Sequence, residues 1–248
     1  MKKLIISAAL GLMIPLMSIG QSTLGPGATG SSLTVAGSPH NFSGQTWNSY
    51  NSTTMQGGQI CQPCHTPHNA ISPTITGNAA PLWNHTFTTA TYSMYTGFEF
   101  GTLTTTGAYI GYGVTAPDGT SKLCLSCHDG SVALGAYGGQ TGTLYMNDVA
   151  PGANLGTDLT NDHPISFPYD SVVAGGVHDK NFIYSQYAAG GSGTYVTYTS
   201  SGKTVGSKLD ANGEVQCTSC HGPHSNSRGY QLSMDNRGSA LCLSCHKK

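Results

Sequence analysis

The feature that most constrains this chain is a five-residue string, Cys61-Gln62-Pro63-Cys64-His65, which returns at Cys124 to His128, Cys217 to His221 and Cys242 to His246. Two thiols one helical turn apart are placed to add to the two vinyl groups of one haem, and the imidazole that follows then lies beneath the iron. With ten histidines in 248 residues, a histidine at any one position is about a one-in-25 event, so four after four Cys pairs is not chance. Zinc can use two Cys-x-x-Cys pairs as an all-thiolate site, but such a site has no use for a His after every pair. A disulfide framework suits an exported chain, yet the four strings take all eight cysteines. The expectation is four c-type haems, covalently held by Cys61, Cys64, Cys124, Cys127, Cys217, Cys220, Cys242 and Cys245. Their proximal iron ligands are then His65, His128, His221 and His246.

Residues 1–20 read as a secretory signal peptide: Lys2 and Lys3, an apolar run from Leu4 to Ile19, and small residues at Ser18 and Gly20. The mature chain then begins near Gln21, with no cysteine there for a lipid anchor and no later stretch apolar enough to span a bilayer. Covalent haem attachment is completed outside the cytoplasm, so export agrees with the motifs. The net charge of -1 argues against a nucleic-acid partner. Only 8% of residues are charged, while 34 are glycine and 13 are tyrosine. Such a chain has few aliphatic side chains from which to build a core, and four haems would supply the missing apolar faces. The expected fold is mostly irregular coil with a few short helices and a small β-hairpin, wrapped around four haems. A neutral, tyrosine-rich surface also tends towards self-association.

Taken in order, residues 21–60 are rich in Gly, Ser, Thr and Asn and read as an extended N-terminal arm carrying His40 and Trp47. Residues 61–248 form one tetrahaem domain. Its first motif continues as His65-Thr66-Pro67-His68. Both imidazoles leave one short segment, so His68 is expected to serve a neighbouring haem. The aromatics Tyr92, Tyr95, Phe98 and Phe100 read as haem packing. Lys122 to His128 reads as a helix bearing the second motif, and His163, ahead of Pro164, as a loop imidazole presented by extended backbone. Residues 190–217 read as β, with alternation over Thr194 to Tyr198 and a turn at Asp210 to Gly213 that predicts a small hairpin delivering the third motif. That motif repeats the first as His221-Gly222-Pro223-His224, and Leu241 to His246 repeats Leu123 to His128, so the motifs run A-B-A-B.

Four bis-His haems need four distal imidazoles, and six candidates remain: His40, His68, His85, His163, His178 and His224. The repeat favours His68 and His224, then His163; the last place lies between His40 and His85, with His178 behind them. Met55, Met94, Met146 and Met234 keep His/Met ligation open. Closing both axial positions leaves no iron for substrate, so electron transfer rather than enzyme catalysis is expected.

The flanking strings, Cys61 to Ala70, Pro81-Leu-Trp-Asn-His85, Ser121 to Gly130 and Asn161 to Phe167, resemble the multihaem cytochromes with doubled Cys-x-x-Cys-His motifs of metal-reducing bacteria. Within that group the chain is similar to the tetrahaem polymerising extracellular cytochromes, or cytochrome nanowires. The resemblance implies coil wrapped on a haem column, parallel and T-shaped haem pairs, and subunits joined head to tail. It also implies an N-terminal histidine, here His40, ligating a haem of a neighbouring subunit, with His85 in reserve. The function implied is an extracellular conductive filament at or beyond the cell surface, exchanging electrons with other multihaem cytochromes or an extracellular acceptor. The alternatives are a soluble periplasmic or secreted electron shuttle and, less favoured, a multihaem reductase with one open iron.

Overall fold

A computed structural model of the chain describes residues 33, 38–48, 60–68, 70–71, 82–96, 102–103, 109–110, 113–169, 176–187 and 198–247. The signal peptide, the rest of the arm, Met55, Phe98, Phe100 and Thr194 to Thr197 lie outside these residues.

Among the described residues the longest helix is α1, Gly119–His128, and it carries the second motif. It begins three residues before the expected Lys122, because Gly119 enters at φ +48 and lacks a Cβ that would sit 2.8 Å from the Gln216 amide nitrogen. Its end is set by Gly130 at φ +71, whose N–H bonds to the Cys127 carbonyl at 3.2 Å, a position that favours glycine. Leu123 and Leu125 are buried on opposite sides of the helix, one against Trp83, the other against Met94 and Leu159. Three further helices are single turns: α2, Met146–Val149, α3, Cys217–Cys220, and α4, Ala240–Leu243.

Among the described residues, strands come in three antiparallel pairs. β1 (Thr102–Leu103) pairs with β2 (Tyr109–Ile110), β3 (Phe167–Pro168) with β6 (Glu214–Val215), and β4 (Ile183–Tyr187) with β5 (Tyr198–Thr204). The hairpin of this region therefore runs back from β5 to β4, and not forward across the Asp210 turn. The turn itself forms, with Gly213 N–H on Asp210 O at 3.0 Å, but a 3₁₀ turn at Val205–Lys208 separates β5 from it. β6 is thereby free to pair with β3 and to deliver the third motif directly.

The described residues hold no single aliphatic core. Their hydrophobic clusters contain two or three buried residues each, the third being Tyr184, Met234 and Ala240. The hinge between the two halves is instead polar. Gln216, 1% exposed, accepts from Ser121 N–H at 3.1 Å and the Ser121 hydroxyl at 2.5 Å, and donates to Asp118 at 3.0 Å. The Ser121 hydroxyl oxygen in turn accepts from Cys217 N–H at 3.0 Å, so the second and third motifs are tied at their bases.

Candidate functional site

Each of the four motifs folds as one turn. The imidazole-bearing residue donates its backbone N–H to the carbonyl of the first cysteine in three of them, His65 to Cys61 at 2.8 Å, His221 to Cys217 and His246 to Cys242 at 2.9 Å, while the second lies within α1. That turn brings both thiols to one side. All eight cysteines are free thiols, standing where thioether sulfurs would be. Burial pushes the Cys64 thiol up to about 12 and raises Cys127, Cys220 and Cys245 as well. Cys217 goes the other way, lowered to about 7, chiefly by the neighbouring Cys124 thiol. Among the described residues, no three His, Cys, Asp or Glu side chains converge on a metal-sized point.

The anchors form a continuous run. Cys64 raises Cys124 and Cys127 electrostatically, the Cys124 and Cys217 thiols shift one another, and Cys220 is raised further by Cys245 and Cys242. The two halves of the duplicated chain therefore meet through their anchoring sulfurs.

The histidines sort by geometry. All ten are among the described residues. Three pairs of imidazoles face one another, His40 and His128 at 6.1 Å between ring centres, His65 and His224 at 6.2 Å, and His163 and His246 at 6.3 Å. An iron between two imidazoles needs about 2.0 Å from metal to each nitrogen and about 1.1 Å from nitrogen to ring centre, about 6.2 Å in all. The residues fit the group.

Ring orientation supports the same division. Nδ1 of His128 donates to Ala153 O at 2.8 Å, of His163 to Pro164 O at 2.8 Å, of His40 to Pro223 O at 3.1 Å and of His221 to Tyr230 O at 3.0 Å. Carbonyls only accept, so these contacts fix the proton on Nδ1 and leave Nε2 with its lone pair for a metal. Burial also lowers the His40 pKa to about 4, which keeps that ring neutral.

His85 is different. It is wholly buried, with Nδ1 at 3.0 Å from Thr86 O and Nε2 at 3.3 Å from Leu134 O. Burial lowers its pKa, so the ring is neutral with one N–H, which Thr86 O accepts at the shorter distance; Nε2 also lies 3.4 Å from Cys127 Sγ, and among the described residues no imidazole ring faces it. The ring of His178 is stacked on Phe182 at 3.7 Å. Met94, Met146 and Met234 are buried, Met94 and Met234 within the hydrophobic clusters.

In this single copy of the chain His40 faces His128 and donates from Nδ1 to Pro223 O. His68 and His221 are both exposed, and among the described residues no imidazole ring faces either. The polar joint of Gln216 and Ser121 was not anticipated from the sequence; its only sequence signal is a glutamine placed directly before Cys217. Tyr92, expected to pack on haem, donates its hydroxyl to Asp129 at 2.6 Å, beside His128.

A family model described as a doubled CXXCH motif matches residues 211–248, the stretch holding the third and fourth motifs. No curated protein matches the chain. Such motifs imply covalently bound c-type haem, and the chain is consistent with a multihaem c-type cytochrome whose work is haem-based electron transfer.

Proposed function

We propose that the chain is an exported tetrahaem cytochrome in which every iron is closed by two imidazoles, and that it passes electrons along its haems within a head-to-tail extracellular filament. The observation that carries the closed-iron reading is the set of three imidazole pairs spaced at 6.1, 6.2 and 6.3 Å. On this reading His224 serves the haem of His65, His40 that of His128, and His163 that of His246. The repeat supplies the fourth pair. His224, three residues after His221, faces His65, so His68, three residues after His65, is the reciprocal partner of His221.

Haem supplies reversible one-electron exchange at iron. The protein's part is to hold the rings. Backbone carbonyls orient the imidazoles, burial keeps His40 neutral, and the close run of anchoring cysteines sets one haem beside the next. Two axial imidazoles also exclude small substrates from iron, which separates this reading from a reductase.

The test is carbon monoxide binding by the reduced, haem-loaded protein together with its haem-to-protein ratio. Wild type is expected to carry four haems and bind no carbon monoxide. His224→Ala and His68→Ala are each expected to open one iron, so that one haem in four binds the gas, while His85→Phe opens none. Gas binding by one haem in four of the wild type would sink the fully closed arrangement and revive catalysis.

A further inference from the structure

Charge in this chain is segregated along its length. From Gln21 to Asp179 there is one basic residue, Lys122, against eight acidic ones; from Lys180 to Lys248 there are seven basic residues against three acidic. The low count of charged residues hides this division, which leaves −7 in the first stretch and +4 in the second. The structure exposes Asp148 and Asp158 on one segment and Lys180, Lys203 and Lys247 on another, each segment beside one of the proximal histidines.

The acidic face is the segment around α2. It exposes Tyr145 (40%), Val149 (40%) and Leu155 (47%), with Asp148 and Asp158 on its surface. This segment holds His128, through Ala153 O to its Nδ1 at 2.8 Å and Leu155 N–H to its carbonyl at 2.7 Å. The basic face is the turn entering β4 and the adjoining edge of β5. It exposes Phe182 (39%) and Ile183 (52%), with Lys180, Lys203 and Lys247 on the surface and Asp179 the acidic residue among them. This segment holds the fourth motif, through His178 N–H to Cys245 O and Lys247 N–H to Gly176 O, both at 2.7 Å, and through the bridge between Val177 and His246.

We infer that these two faces bind one another between copies of this chain, the acidic face around α2 against the basic face around β4 of the next copy. This rests on the filament reading above and supplies its surfaces. Each face pairs exposed apolar side chains with one sign of charge, and the complement of each is carried by the same molecule. Two different faces of one chain make a heterologous contact, which extends as an open polymer unless its rotation happens to close. The join then lies beside the His128 site of one copy and the His246 site of the next.

Charge reversal tests the pairing in haem-loaded protein, read by sedimentation velocity and electron microscopy over a concentration series. Asp148→Lys with Asp158→Lys makes both faces basic; Lys180→Glu with Lys203→Glu makes both acidic. Each variant alone is expected to need at least tenfold more protein than wild type to assemble. An equimolar mixture of the two is expected to assemble at wild-type concentration, as is the chain carrying all four changes. A variant that merely misfolds would fail in the mixture too, and its far-ultraviolet spectrum and haem count would show it. If wild type assembles and the two variants assemble equally well, the faces are wrong while the filament stands. Should wild type remain single at every concentration, the filament reading falls, and these faces with it.

Discussion

Replacing Gln216 with alanine asks how much the polar joint between the two halves contributes. Its side chain makes three short hydrogen bonds, from Ser121 N–H at 3.1 Å, from the Ser121 hydroxyl at 2.5 Å and to Asp118 at 3.0 Å. Contacts with the Ser166 hydroxyl and Glu214, both 3.4 Å, are too long to add much. Three bonds at about 1 kcal/mol each set the polar share. Alanine also leaves Ser121 N–H, a first-turn donor with no acceptor inside the helix, buried and unpaired. The vacated volume adds about 1 kcal/mol, so the expected loss is about 3–5 kcal/mol. Methionine fills most of that volume, and Gln216→Met should therefore recover about 1 kcal/mol and no more. The assay is urea unfolding of the haem-loaded protein followed by far-ultraviolet circular dichroism, with equal slopes required before midpoints are compared. A Gln216→Ala chain within about 0.5 kcal/mol of wild type, the scatter of an ordinary surface change, would refute the idea that this joint holds the halves together.

Two further outcomes follow from the same region. Gly130→Ala puts a Cβ 2.6 Å from Asn154 Oδ1 at φ +71, and the strain plus the displaced side chain should cost about 2 kcal/mol in urea midpoint; because Asn154 adjoins the Ala153 carbonyl that holds His128, the low-spin spectrum of one haem should broaden as well. Glu214 is raised by burial, then by Asp118 and Asp210. A carboxyl raised in the fold is destabilising when ionised, and that penalty fades as pH falls through its folded value towards its unfolded one. Glu214→Gln should therefore be more stable than wild type at neutral pH, by a fraction of about 1 kcal/mol given its partial exposure, and lose that advantage near pH 4; a pH-independent difference in melting temperature would contradict the assignment.

What was legible in the sequence was the local half of each site. Cys-x-x-Cys-His is a single turn, so its two thiols and imidazole are placed by residues next to one another, and the helix around Cys124 could be read from its apolar positions. The repeat pointed His224 towards another motif's haem, since the same short segment cannot wrap round to its own, and its ring stands 6.2 Å from that of His65. His40 is less local: its ring is held by Pro223 O, far along the chain, while the resemblance to filament subunits pointed it to a neighbouring subunit. His85 was held in reserve because composition counts histidines without seeing that this one is wholly buried beside Cys127. Gln216 was invisible for a related reason: a glutamine beside a cysteine has no pattern, and its importance comes from what Ser121 and Asp118 lack without it. The β4–β5 pairing was missed because alternation marks a strand but not its partner.

The distal half of each site follows a different physical logic. On the proposed ligation, each iron joins segments that are remote in sequence, His224 to His65, His40 to His128 and His163 to His246, and so closes a long loop of chain. A chain with clusters of two or three buried apolar residues gains from such closures what an aliphatic core would otherwise supply, because each removes conformational freedom from the unfolded chain. Spectrum and stability must then move together at a distal ligand. His224→Ala should open one iron and also lower the urea midpoint, since the third motif is no longer held against the first. At His85 the two separate, because its buried ring donates to Thr86 O and faces no other imidazole among the described residues: His85→Phe should lower the midpoint through the lost hydrogen bond and leave every haem low-spin. A histidine whose loss changes the spectrum without changing stability fits neither class, and would show that the haems hang from their cysteines without holding the fold.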